Sequence, residues 1–369
     1  MKALVIGGTG PTGPYLINGL ISLGYQVSMM HRGTHDSDEI PVTVPRIIGD
    51  PHFHETLTEA LSGRRFDLII ATYGRIRYVA EIAGDHCERL ITVGGAPCYR
   101  GMIQPELLSP VGMPIPLHED AEKVPDIDEF RFGYLVRISE EAVMEGHADG
   151  RYSATHFRYP TVYGPRQITP TVWALMRRFT DKRPHIVLPD GGLSLSSRGY
   201  AENVAQAVLL AAQQPEASAG QIYNCADDQQ FTCAQWVEMI GRAMNSEIEI
   251  VTVPDKFAYP ARSLMTFFGP ADHKFFDLYK IKSELGYRDA VAPMSALEKT
   301  VSWYRDNPPT ETDAFTQTLA EDYAMEDALA AIYHESCARY ATINHIVRDF
   351  HHPYPHPKKP GLDRDHRAR

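Results

Sequence analysis

The stretch Gly7-Gly8-Thr9-Gly10-Pro11-Thr12-Gly13 directly follows an apolar run and opens a helical pattern. It holds two overlapping spacings, Gly8-x-Gly10-x-x-Gly13 and Gly7-x-x-Gly10-x-x-Gly13. Glycines at such intervals let the backbone turn tightly and approach a pyrophosphate, which then lies at the positive end of the next helix. Pro11 and Pro14 fall where the first turn has spare N–H groups. The chemistry indicated is dinucleotide binding. An NAD site usually places an acid at the end of the second strand, but the chain reads MMHRG there and offers His31 and Arg32. A guanidinium grips a 2′-phosphate with paired hydrogen bonds, so NADP is the expected cofactor, with NAD as the alternative. Asp50, in IIGDP, is placed either to accept from an adenine amino group or to cap the helix that follows.

Further polar side chains sit where ligands bind in parallel sheets, beyond the carboxyl ends of the strands. Tyr73 and Arg75 in ATYGRIRY follow the fourth apolar run, and Cys98 and Tyr99 follow the fifth. They are candidate substrate contacts. Loop hydrogen bonds for the first two and a packed hydrophobe at Cys98 are the quieter alternatives. His118, His156 and Tyr163 are weaker candidates. The histidines His334, His345, His351, His352 and His356 match no compact ligand spacing, so no metal site is expected.

These groups need a scaffold, and the apolar runs supply one. ALVI, YQVSMM, RII, FDLIIA and RLITV alternate with helical periodicity through the first half. Short, wholly apolar strands between helices indicate a parallel sheet covered on both faces, a Rossmann-type doubly wound α/β core. A proline-rich insertion beginning at Cys98 reads as a wall of the site. The hairpin-like HIVLPDGGLSLSS and the elements around it read as a smaller lobe that completes a cleft. The expected division is a dinucleotide-binding core over 1–160, an interleaved substrate lobe over 161–309, and a helical extension and tail over 310–369. In the extension, Phe315, Leu319, Tyr323, Leu329, Ile332, Tyr333, Tyr340, Ile343, Val347 and Phe350 recur at helical spacing. Such a stripe should pack on the smaller lobe or on a second copy of the chain, making a homodimer.

The chain has 369 residues, of which 43% are hydrophobic and 22% charged, enough for a substantial core. A formal net charge of -11 argues against a nucleic-acid partner, and no apolar run is long enough for a membrane span. Five scattered cysteines without a C-x-x-C pair indicate neither a disulfide framework nor a zinc ribbon, which fits a reducing cytoplasm.

With GGTGPTG, HRG, IIGD, VYGP and RGYAENVAQAV in this order, residues 1 to about 307 resemble the extended short-chain dehydrogenase/reductase superfamily, in particular the NAD-dependent epimerase/dehydratase family. The resemblance implies a reaction centre of Ser or Thr after the fifth strand with Tyr-x-x-x-Lys on the next helix, where the tyrosine moves a proton and the lysine lowers its pKa and holds the nicotinamide ribose. In GGAPCY the serine position falls on Gly95. In FGYLVRISEE the glutamate Glu141 puts Arg137 at the lysine position and Gly133 at the tyrosine position. Arg137 keeps donors for a ribose, while Tyr134, one residue off, and Tyr99 are the remaining candidates for acid–base work. Arg198 resembles a substrate-anion contact, with an ion pair to Glu202 as the alternative. Two functions follow: a small-molecule enzyme of redox, epimerase or lyase type with rearranged catalytic groups, or a non-catalytic dinucleotide-binding sensor or scaffold.

Overall fold

Each apolar run of the first half becomes a strand, and in the longer ones alternate residues enter opposite cores. Ala3 and Val5 of β1 (Lys2–Ile6) point to one face, Leu4 and Ile6 to the other. The same alternation holds in β4 (Phe66–Ala71), where Leu68 and Ile70 join the first core and Ile69 and Ala71 the second. This two-sided burial is why the runs carry no polar stripe. The computed structural model describes residues 1–34, 37–310, 318–344 and 346–350. The candidate residues Phe315, His345, His351, His352 and His356, and the basic tail, lie outside them.

In chain order, the core runs β1, α1 (Gly13–Ser22), β2 (Gln26–His31), β3 (Arg46–Ile48), α2 (His54–Leu61), β4, α3 (Ile76–Ala83), β5 (Cys87–Gly95), α4 (Arg131–Ala148) and β6 (Ser153–Tyr159). There follow β7 (Thr161–Tyr163), α5 (Thr171–Thr180), β8 (His185–Pro189), β9 (Arg198–Tyr200), α6 (Ala201–Gln213), α7 (Pro215–Ser218) and β10 (Gln221–Asn224). The last elements are α8 (Cys233–Met244), β11 (Glu249–Val253), α9 (Tyr279–Leu285), α10 (Pro293–Asp306) and α11 (Leu319–Tyr340). Seven strands form one parallel sheet in the order β10-β6-β5-β4-β1-β2-β3. Leu16, Ile17 and Leu20 of α1 and Val204, Val208 and Leu209 of α6 cover one face; Leu57 of α2, Val79 of α3 and Val143 of α4 cover the other. At Gly19 an added Cβ would overlap Leu209, so this glycine sets how closely α1 and α6 pack.

The smaller lobe has its own core, with Trp173, Met176 and Phe179 of α5 against Trp236, Val237 and Ile240 of α8 and Leu297 and Val301 of α10. The expected hairpin over HIVLPDGGLSLSS does not form. β8 pairs in parallel with β11, sixty residues on, while Leu195 and Ser196 bridge to Thr232 and Lys274. Gly191 and Gly192 do turn the chain with positive φ, but into a 3-10 segment that leaves the sheet.

Residues Met1–Ala330 form one compact unit and Ala331–Arg369 a second. Within the first unit, α11 does not use the expected apolar stripe. Its buried positions are Glu326 and Ala330, and Glu326 meets the buried Arg178 of α5 at 2.7 Å. Tyr323 donates to Asp181 at 2.8 Å, and Asp327 pairs with Arg183. Met325 stays 39% exposed. Among the described residues no helix is long and apolar enough to cross a membrane.

Candidate functional site

The chain leaves β1 through Gly7, whose φ of 93° only glycine adopts without strain, and climbs into α1 by way of Gly10 N–H to Gly7 O (3.2 Å) and Gly13 N–H to Gly10 O (3.1 Å). The glycines divide by role. A Cβ at Gly13 would overlap the Gly8 carbonyl, and one at Gly8 would press on Ile17 and Met29, so these two serve packing. Gly7 and Gly10 instead line a cavity of about 620 Å³. At Gly10 an added Cβ would meet only Gly7 O, at 3.5 Å, so the backbone there is open to a ligand. Thr9, Pro11 and Thr12 line the same cavity, and Thr12 makes no side-chain cap to α1. The start of α1, the positive end of its dipole, therefore borders the space where an anion would be held.

His31 and Arg32 complete the cavity from the end of β2. His31 Nδ1 accepts from Gly33 N–H at 3.2 Å, which puts the ring proton on Nε2. That nitrogen is buried and unpartnered in the protein, a donor awaiting an acceptor. Arg32 is exposed, with its guanidinium carbon 5.5 Å from the centre of the Tyr73 ring, and Tyr73 lines the cavity too. Arg166 adds a third cation, its outer nitrogens held by Glu39 and its Nε buried without a partner. The described lining contains two arginines, a histidine and several hydroxyls, and no carboxylate. Such a set suits a phosphate-bearing ligand, and a dinucleotide fits it: the Gly7–Thr12 turn for the pyrophosphate, His31 and Arg32 for a ribose 2′-phosphate.

A second cavity of about 330 Å³ shares Pro11, Val162 and Ile168 with the first. Ile103 from the proline-rich insertion forms one wall, and Met265, Thr266 and Phe267 from the smaller lobe form another. The two cavities thus join at the carboxyl ends of the strands.

Other sequence candidates stand elsewhere. Asp50 is outside both linings; its carboxylate accepts from the backbone N–H of His52 at 3.0 Å and lies 2.8 Å from the His52 ring. Burial pushes its pKa up, but these contacts and the Arg32 charge outweigh that and hold it below the usual range. Arg75 is turned to the surface, toward Phe53 and Tyr78. Arg137 donates through Nη1 to the carbonyls of Val124 and Pro125, both at 2.9 Å, and its guanidinium lies 5.1 Å from the Tyr134 ring. Neither Arg137 nor Tyr134 lines either cavity. Tyr163 is buried against Tyr200 and Trp236. Arg198 lies over Trp236 at 4.8 Å and donates to the Ser196 carbonyl, while Glu202 pairs with Lys299 instead. His118 is exposed beside Asp277.

Tyr99 and Cys98 are fully buried. Tyr99 donates to Asn224 Oδ1 and accepts from Arg158 Nη1, both at 2.6 Å. Burial pushes the Cys98 thiol up to about 12, which makes it inert, and raises the Tyr99 phenol as well. Both belong to a charge network under the sheet, in which Glu140 meets Arg158 at 2.6 Å and Lys123 at 3.1 Å. His156 is part of it, 2.7 Å from Thr92 Oγ1. The glycine at the expected tyrosine position has a steric cause: a Cβ at Gly133 would overlap the Pro97 carbonyl. Gly95 is less constrained: an added Cβ would meet Pro97 Cδ at 3.2 Å, a tight contact that a small shift relieves.

Comparison with known proteins agrees with this geometry. A family model described as the NAD dependent epimerase/dehydratase family matches residues 108–226. UDP-glucose 4-epimerase from Thermotoga maritima, solved with UDP-glucose, aligns with a TM-score of 0.66 at 18% identity, covering 84% of this chain and 100% of that one. The Thermus thermophilus UDP-glucose 4-epimerase, in complex with NAD, gives 0.63 at 18% identity, covering 83% and 99%. The chain has the epimerase/dehydratase fold. An uncharacterized protein of Escherichia coli, YbjS, is 27% identical over 46% of this chain and 55% of its own length. An uncharacterized protein of Sinorhizobium fredii, y4nL, is 25% identical over 53% and 60%. The chain thus spans a little over half the length of these two. A 3-diazoavenalumate denitrifying reductase from Streptomyces is 23% identical over 67% of this chain and 82% of its own length.

Within this epimerase/dehydratase fold, sequence reasoning missed Thr34, Thr72, Val93, Tyr159, Arg166 and Ile168 as lining of the first cavity. Arg166 had a signal, since it continues the VYGP motif, and it occupies a positive φ of 61° that few side chains adopt. Tyr159 also had one, as the last residue of a strand at the carboxyl edge.

Proposed function

We propose that the chain is an enzyme of the NAD-dependent epimerase/dehydratase family, of the extended short-chain dehydrogenase/reductase type, that prefers NADP and acts on a small molecule. The observation that carries this reading is the buried, unpartnered His31 Nε2 beside Arg32, across the same cavity as the open Gly7–Thr12 turn. A bound nicotinamide supplies hydride chemistry; the protein's part is to hold the phosphates, orient the substrate in the adjoining cavity and keep water out. The Streptomyces relative is named a reductase, which favours redox over isomerisation. Tyr134, Tyr99 and Arg137 have partners or positions away from both cavities, which supports a reaction in which a group of the substrate itself handles the proton.

Fluorescence titration with NADPH and NADH tests the cofactor. NADPH should bind at least tenfold tighter, and Arg32→Asp should reverse the order; a clear NADH preference in the unmodified protein would overturn it. Gly10→Glu, at a position with room for a side chain, should leave the fold intact and weaken both nucleotides tenfold or more by placing a carboxylate where the pyrophosphate sits.

The engaged Tyr99 and Arg137 also support a second reading, a dinucleotide-binding sensor without catalysis. Tight NADPH binding with no turnover on a broad carbonyl panel would favour it. In the second compact unit, the exposed Ile332, Tyr340, Ile343, Val347 and Phe350 support a self-association surface and hence a homodimer. The free cysteines, four of them buried, support a reducing cytoplasm as its location.

A further inference from the structure

The second cavity differs in chemistry from the first, although they share a rim. Its described lining combines Ile103, Pro160, Val162, Met265 and Phe267 with threonine hydroxyls and the Gln167 amide, and holds no ionisable side chain. The Gln167 amide already donates to Thr171 Oγ1 at 3.0 Å. Arg262 and Lys274, the cations flanking Met265–Phe267 in the chain, are held by Asp255 and Asp272 within the lobe. Arg198 lies outside the lining, against Trp236 and backbone carbonyls. A diphosphate brought here would lose its hydration and find no cation in return, a cost of several kcal/mol per charge.

We infer that this cavity takes a compact, uncharged, mostly apolar substrate, an aryl or alkyl carbonyl compound or the corresponding alcohol, and not a sugar nucleotide. The inference rests on the dinucleotide reading of the first cavity. The apolar walls supply affinity through burial, and the threonine hydroxyls orient the one polar group.

The test is calorimetry on the full chain saturated with NADP, using 4-phenylbutan-2-one and UDP-glucose as probes. The ketone should bind and UDP-glucose should not. Phe267→Gly should weaken the ketone at least tenfold; Phe267 has φ 56°, where glycine is at home, so the variant should fold. Ile103→Trp, which fills the cavity from the opposite wall, should do the same, and neither should change NADPH affinity. UDP-glucose binding without ketone binding would overturn the inference. So would binding of neither probe while NADPH still binds, which leaves the dinucleotide reading standing. Failure of NADPH itself to bind would overturn that reading and the inference with it.

Discussion

Gly133 shows how a single position closes one chemical route. The start of α4 is pressed so closely onto the 3-10 turn Ala96–Cys98 that no side chain fits between them. Gly133→Ala should therefore cost about 1–3 kcal/mol in urea unfolding, the usual range for overpacking. Gly95→Ser should cost less, under about 1 kcal/mol, because its Cβ meets only Pro97 Cδ, at 3.2 Å, and not a backbone carbonyl. Equal costs for the two would contradict this account. The buried pair below is read through pH. Burial lowers the His156 pKa from 6.5 to about 4. Burial also pushes Glu140 up, but the Arg158 hydrogen bonds and nearby positive charges outweigh it and bring it to about 2. The neutral histidine binds fewer protons than it would in the unfolded chain, so acidification from about pH 6.5 to about 4 favours unfolding, by up to about 3 kcal/mol. The stability from ionised Glu140 is present above its ordinary 4.5 and is lost as pH falls toward 2. His156→Gln should flatten the loss between about pH 6.5 and 4.5; an unchanged slope in urea midpoints would count against it. At this scale the glycines were legible because their chemistry is local, as backbone freedom at fixed spacing. Cys98 as a packed hydrophobe was legible too, but the engagement of Tyr99 was not, because it depends on Arg158, Asn224 and the Glu119 carbonyl arriving from distant segments.

Among the elements, β1, β2, β4 and β5 were readable because a strand buried on both faces is a largely apolar run between polar helices. The β8 segment misled for the opposite reason. Two glycines after an apolar run are a hairpin signal, but the partner is chosen by which strand the lobe's core brings alongside, and that is β11. In α11 the helical spacing was a correct sign of a helix and a poor guide to what holds it. Burial falls on Glu326, whose partner Arg178 is itself only 1% exposed in its side chain. Glu326→Ala should leave a buried, uncompensated guanidinium and destabilise the fold by about 3–5 kcal/mol. Pairing it with Arg178→Met should recover most of that loss, as calorimetric melting would show. If the double change is as damaging as the single one, α11 is held by something other than this ion pair.

For the molecule as a whole, net charge and composition set broad limits, while the joining of the two cavities needed the fold, since Pro11, Ile103, Val162 with Ile168, and Phe267 come from four separate segments. The order of the sheet carries one more consequence, for synthesis. β6 pairs on one side with β5 and on the other with β10, which the chain reaches only at Gln221. Between Tyr159 and Gln221 lie some sixty residues, so at about 5–20 residues per second the ribosome leaves the β6 edge uncovered for roughly 3–12 s. During that interval the strand offers unpaired backbone groups to any neighbouring nascent chain. The first half of the protein cannot be finished before much of the second, and it is in this window that a chaperone would most improve the yield of native protein.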